Sequence, residues 1–167
     1  MTDPAESFRW GSALGISVVL FLICGAIYVL IGALTPMMYH RDVGTTVVIT
    51  SSRADSLLFG SAPPDLLRGN RSLATFRSIA VNIIAGLLVA AGILIIAVAW
   101  FGLRGGQAWA LGALVIAGMA VLPFWWVAFR PYGSAGIPLW LGDIPPFMTI
   151  PAALLVPAAI LGWLGLR

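Results

Sequence analysis

The chain has 167 residues, 60% of them hydrophobic and 9% charged, with a net charge of +3. A soluble domain carries about 25% charged residues, so this composition excludes an ordinary water-soluble globule and fits a surface that faces lipid. All basic residues are arginines scattered along the chain, which excludes the clustered basic face that nucleic-acid binding needs. The length leaves room for one compact bundle over residues 1–167 and no separate soluble domain.

Residues Met1 to Arg9 are polar, with Asp3 and Glu6 offsetting Arg9. Gly11 to Leu34 is an apolar run closed by Thr35-Pro36. It is too long for the core of a signal peptide and no small-x-small cleavage site follows, so it reads as a retained first membrane helix. Gly11, Gly15, Gly25 and Gly32 lie within it, and small residues let membrane helices approach closely. The chain's single cysteine, Cys24, sits in this run, where it is a small hydrophobe and excludes dithiol chemistry.

Residues 35–78 form the one long polar segment. Val43 to Thr50 is rich in β-branched residues and is expected to be extended. Ser52-Arg53-Ala54-Asp55 has the spacing of a capping box before Leu57-Leu58-Phe59, which predicts a short helix lying on the membrane surface. Gly60 to Pro64 breaks it, and Asp65 to Arg68 offers a further turn after the prolines. His40, beside Met37 and Met38, reads either as an interfacial polar residue or as a lone metal or haem contact; one histidine excludes a histidine-cluster metal site.

The second helix spans 79–101, with Ser72 as an earlier candidate N-cap and Arg71 and Arg77 at headgroup level. Asn82 is the one strongly polar side chain inside this apolar run, and an amide there seeks a partner on another helix. The turn Leu103-Arg104-Gly105-Gly106-Gln107 leads to a third helix over 108–129, with Pro123 expected to bend its last turns. Arg130 to Pro138 reads as irregular loop by its glycines and prolines. The fourth helix spans 147–166, with Pro151 tolerated in its first turn and Pro157 bending its middle. Trp10, Trp100, Trp109, Trp125, Trp126 and Trp163 fall near predicted helix ends, the headgroup level that tryptophan prefers.

The predicted fold is therefore an all-α membrane protein, with four transmembrane helices in an antiparallel bundle and one longer polar loop between helices 1 and 2. No span carries an ionisable residue in its central part, whereas ion-coupled transport and intramembrane catalysis usually need one. The expectation is a protein without catalytic activity, cofactor or metal. One constellation stands out at a single membrane face. Arg130, Tyr132, Trp140 and Asp143 belong to the third connection, and Arg77 and Asn82 approach from the second helix. They read either as a site for a lipid headgroup, a quinone head or a small anion, or as a structural set built on an Arg130–Asp143 ion pair.

The stretch Trp100-Phe101-Gly102-Leu103-Arg104-Gly105-Gly106-Gln107-Ala108-Trp109-Ala110-Leu111 resembles the arginine-glycine turn of small four-helix bacterial membrane proteins of unknown function. Gln107 and Ala108 stand where more charged residues are expected, and a more distant similarity is to DoxX-like proteins. The resemblance implies the four-helix fold and a bacterial inner membrane, and brings no catalytic residues. It favours both termini inside, whereas the count of arginines per face favours termini outside. Two functions follow as expectations: an accessory or structural subunit in a membrane complex or homo-oligomer, including a membrane-stress protein or a subunit of a redox complex, or a binder or carrier of a lipid, quinone or similar amphiphile.

Overall fold

A computed structural model describes residues 8–39 and 47–167, and His40 and the stretch 43–46 lie outside the described residues. Every regular element among the described residues is helical: α1 (Ala13–Tyr39), α2 (Ser52–Phe59), α3 (Pro63–Gly69), α4 (Arg71–Ala97) running on into a π-helical segment (Val98–Leu103), α5 (Ala108–Ala120), α6 (Leu122–Ser134), a 3₁₀ turn (Leu141–Asp143) and α7 (Pro146–Gly165). Four of these stretches are long and apolar enough to cross a membrane: Ala13–Met38, Arg71–Leu103, Ala108–Ser134 and Pro146–Gly165. This is the architecture of a multi-pass membrane protein.

The helices outrun the apolar stretches that predict them. Pro36 lies inside α1, which continues to Tyr39. The segment 35–78 is helical over much of its length, because α2, α3 and the first turns of α4 all fall in it. Asn70, not Ser72, caps α4 by accepting from the Leu73 N–H at 3.0 Å. Val47 to Thr50 forms bends, with no strand. Arg130 to Ser134 is the end of α6, not loop, and Pro131 lies within that helix. The bend expected at Pro123 takes the form of a one-residue break at Val121, after which Pro123 occupies the first turn of α6.

α1 is the central helix and packs against both α4 and α7. Its contact with α4 depends on glycine. A Cβ on Gly25 would come within 2.8 Å of the Gly92 carbonyl, and one on Gly92 within 2.6 Å of the Gly25 carbonyl. A Cβ on Gly32 would come within 2.5 Å of the Ala85 carbonyl. Seven residues forward on α1 thus match seven residues back on α4. In lipid there is no hydrophobic drive between helices, so this close fit supplies the attraction through van der Waals contact. Against α7, the fully buried Ser17 donates to the Ala158 carbonyl at 2.7 Å, and a Cβ on Gly165 would strike the backbone of Leu14.

One membrane face carries an arginine wrapped in aromatic rings. The Arg104 guanidinium lies 4.5 Å from the Trp100 ring centroid, 5.5 Å from Phe8 and 5.8 Å from Trp10. Each such contact contributes about 0.5–1 kcal/mol where water has access. Together they fix the start of α1 beside the α4–α5 turn. The π segment shapes that turn: Arg104 N–H reaches back to the Ala99 carbonyl at 3.0 Å, and Gly102 meets Ala110 so closely that a Cβ would lie 2.7 Å from its methyl group.

Beyond this turn the two arms part. α5 packs against the π segment and α7, α6 packs against α5 and α2, and α4 packs against α1. Gly92→Leu should cost about 1–3 kcal/mol of stability by forcing α4 away from α1, read by reversible unfolding in mixed micelles. Gly112→Ala, where nothing lies within 4 Å of the new methyl group, should stay within about 0.5 kcal/mol of the parent.

Candidate functional site

At the face opposite Arg104 a short loop and α2 form a polar cap. Ser51 N-caps α2 by accepting from the Ala54 N–H at 3.1 Å, and Gly60, at φ 70°, ends the helix. The N-cap falls at Ser51, one residue before the expected Ser52, which puts Ala54 at the far position, so no capping box forms and Asp55 faces elsewhere. Its fully buried carboxylate accepts from the N–H groups of Val48 (2.5 Å), Ile49 (2.9 Å) and Thr50 (3.2 Å), from the Thr50 hydroxyl (3.0 Å) and from the Tyr132 hydroxyl (2.7 Å). Successive backbone N–H groups turned to one point make an anion nest, and five donors saturate an acceptor with about four lone-pair sites. Tyr132, also without solvent exposure, brings the end of α6 into this arrangement. Arg77 brings in α4, its buried side chain donating to the Val48 carbonyl at 3.4 Å.

A second carboxylate closes the other side. Asp143 accepts from Ser51 Oγ at 2.6 Å, from Arg53 Nε at 3.4 Å, from Arg53 Nη2 in a short ion pair, and from the Trp140 N–H at 2.9 Å. Arg53 also donates to the Pro138 carbonyl at 2.8 Å. The Arg53 guanidinium, helped by Ser51 and the Trp140 N–H, holds the Asp143 carboxyl well below the usual carboxylate range. Ser51 therefore caps α2 and ties it to the segment entering α7.

Of the six candidate residues, the cap unites Arg77, Tyr132 and Asp143, with Trp140 joining through its backbone while its ring stays exposed. Asn82 stands apart: its amide donates to the Ser78 carbonyl of its own helix at 2.9 Å. Arg130 does not pair with Asp143, which Arg53 engages. It lies on α6 beside Trp126, Phe129, Gly133 and Ser134, exposed, because Tyr132 takes the inward position on that helix. Asp55, Thr50, Ser51 and Arg53 are the cap residues that sequence reasoning left out. The signal was present: in a chain with six acidic residues, an acid in the first turn of a short helix between apolar runs wants a buried partner.

Below the cap, the parted arms leave an apolar cleft of about 490 Å³. α1 contributes Phe21, Cys24 and Tyr28, α4 contributes Leu88 and Ala91, α5 and α6 contribute Gly118, Leu122 and Trp125, and α7 contributes Pro151 and Leu155. No charged residue lines it. Leu87, Leu94 and Met119, also on its wall, are more than half exposed, so its mouth opens to the outside of the bundle between α4 and α5–α6. Cleft and cap share their helices: Ile84 and Arg77 are seven residues apart on α4, and so are Trp125 and Tyr132 on α6. At about 1.5 Å per residue the cap stands about 10 Å from the cleft's upper wall.

No family model, curated protein or solved structure matches this chain.

Asp55→Ala should strand five donors, each costing about 1–3 kcal/mol if left without water, and release α2. Brief trypsin treatment followed by mass analysis should show cleavage after Arg53 in the variant and protection in the parent. The Asp143 contribution has a defined sign. A carboxyl depressed in the folded state stabilises it fully above the unfolded value of about 3.9, and the contribution is lost as pH falls below that. Hydrogen-exchange protection of α2, corrected for intrinsic rates, should hold from pH 8 to 5 and fall below about pH 4, and Asp143→Asn should abolish that step.

Proposed function

We propose that this protein is a non-catalytic multi-pass protein of a bacterial inner membrane, an antiparallel four-span bundle whose intramembrane cleft holds the apolar part of a membrane amphiphile. The observation that carries this reading is the cleft itself, predominantly apolar, without a charged residue, open to lipid and lined by all four spans. Its volume, about 490 Å³, falls in the range of small-molecule sites, about 300–1,000 Å³. The absence of Asp, Glu, Lys, Arg and His from the centre of every span supports binding or carriage over catalysis or ion coupling.

The cap supports the same reading in a scaffolding role. Its carboxylates are engaged by the protein's own donors, so it holds the arms of the cleft at a set distance. Exposed Ile49, Leu57, Phe59, Trp140 and Leu141 on the cap region suit contact with the headgroup layer. The resemblance of the Trp100 to Leu111 turn to small bacterial four-helix membrane proteins supports the same placement.

The test is lipid retention after purification in a mild detergent, read by extraction and mass spectrometry. Ala117 lines the cleft and Ala90 does not. Ala117→Trp should cut the retained amphiphile at least about fivefold by occupying its space, while Ala90→Trp on the lipid-facing side of α4 should leave it unchanged. Equal retention in both variants would overturn the proposal.

A further inference from the structure

The cleft has one feature that a plain hydrocarbon slot does not need. Tyr28 lies on its α1 wall, one turn from Cys24, and the Tyr28 hydroxyl has no hydrogen-bond partner among the described residues, whereas the Tyr132 hydroxyl is bound to Asp55. Tyr28 is half-buried, and inside an apolar span the rest of its surface meets lipid and not water, where a hydroxyl without a partner is costly. The close contacts of Gly25 with Gly92 and of Gly32 with Ala85 set Tyr28 level with Val89, one residue from the middle of the apolar run 79–101.

We infer that Tyr28 is the polar recognition point of the cleft and that the ligand is a neutral lipid carrying a hydrogen-bond-accepting oxygen on its apolar skeleton, a prenylated quinone or another carbonyl compound. The inference rests on the cleft being a lipid-binding site. Depth selects the class. The ester carbonyls of a diacyl phospholipid sit near the edge of the hydrocarbon core, about 15 Å from its centre, too far from Tyr28 when the lipid stands in its normal position. Charge selects it further. No arginine, acid or histidine lines the cleft, so a phosphate or carboxylate drawn to this depth would lie uncompensated in a low-dielectric space. A carbonyl oxygen carries no such penalty and offers the phenol the acceptor it lacks. Trp125, which α6 contributes to the lining, supplies a flat apolar surface for a planar ring.

The probes are decylbenzoquinone and decylbenzene, which share a tail and a ring and differ in the carbonyl oxygens. Titration calorimetry of the full chain in detergent, against blank micelles, should show the parent binding the quinone at least about fivefold tighter, the size of one hydrogen bond in fold-change. Tyr28→Phe keeps the ring and removes the hydroxyl. It should erase that preference and leave decylbenzene affinity unchanged, which also reports that the variant is folded. If Tyr28→Phe binds both probes and keeps the preference, or if the parent shows none, Tyr28 is not the recognition point and the cleft remains a tail-binding site. If the parent takes up neither probe, the cleft reading falls along with the inference.

Discussion

Asp55 has no solvent exposure and sits at the meeting point of a loop, a short helix and the end of a membrane span. A buried carboxylate is tolerated only when its surroundings replace water donor by donor, and here five donors do so. The requirement works in both directions. The carboxylate needs Tyr132 and the turned backbone of residues 48–50, and that backbone, whose N–H groups point inward, has the carboxylate to bond. The connection between the first two spans is therefore anchored to the third, and through Asp143 to the entry of the fourth. With the arginine-centred turn fixing the other face, α4 and α5–α6 are held together at one end by the chain and at the other by this cap. The space between them stays open because neither end can close it.

The number and order of the spans were legible in the sequence, because runs such as Ile79 to Phe101 and Ala108 to Phe129 contain almost nothing that lipid would reject. Their ends were not. Hydropathy reports where lipid is, whereas helix boundaries are set by caps, so α4 begins at Arg71 under Asn70 and α6 runs through Pro131 to Ser134. The polar side chains followed the same division. Tyr132, Asp143 and Arg77 stood out as scarce polar residues at one face. Their partners are distant along the chain, Asp55 from Tyr132 by 77 residues and Arg53 from Asp143 by 90, and no local spacing announces such pairs. Arg130 looked a natural partner for Asp143 by proximity in sequence, but helical periodicity turns it outward once residue 132 faces in.

The glycines separate into those that space helices and those that do not. Gly25, Gly32 and Gly92 lie where a neighbouring backbone leaves no room for a methyl group. Gly11, Gly86 and Gly112 meet open space. Frequency alone could not sort them, since glycine is common throughout membrane helices. The first group makes α1 a narrow keel between α4 and α7. Even so α1 lines the cavity through Phe21, Cys24 and Tyr28, beside the hairpin arms.

The bond from Ser17 to the Ala158 carbonyl joins positions 141 residues apart. It carries an implication for assembly during synthesis. Spans enter the bilayer in order, so α1 is in place long before α7 exists. Through that interval Ser17 and the α1 surface that will meet Gly162 and Gly165 have only lipid or the insertion machinery for company. The α1 surface is thus completed only when the span Pro146–Gly165 arrives, although α1 itself entered the bilayer three spans earlier.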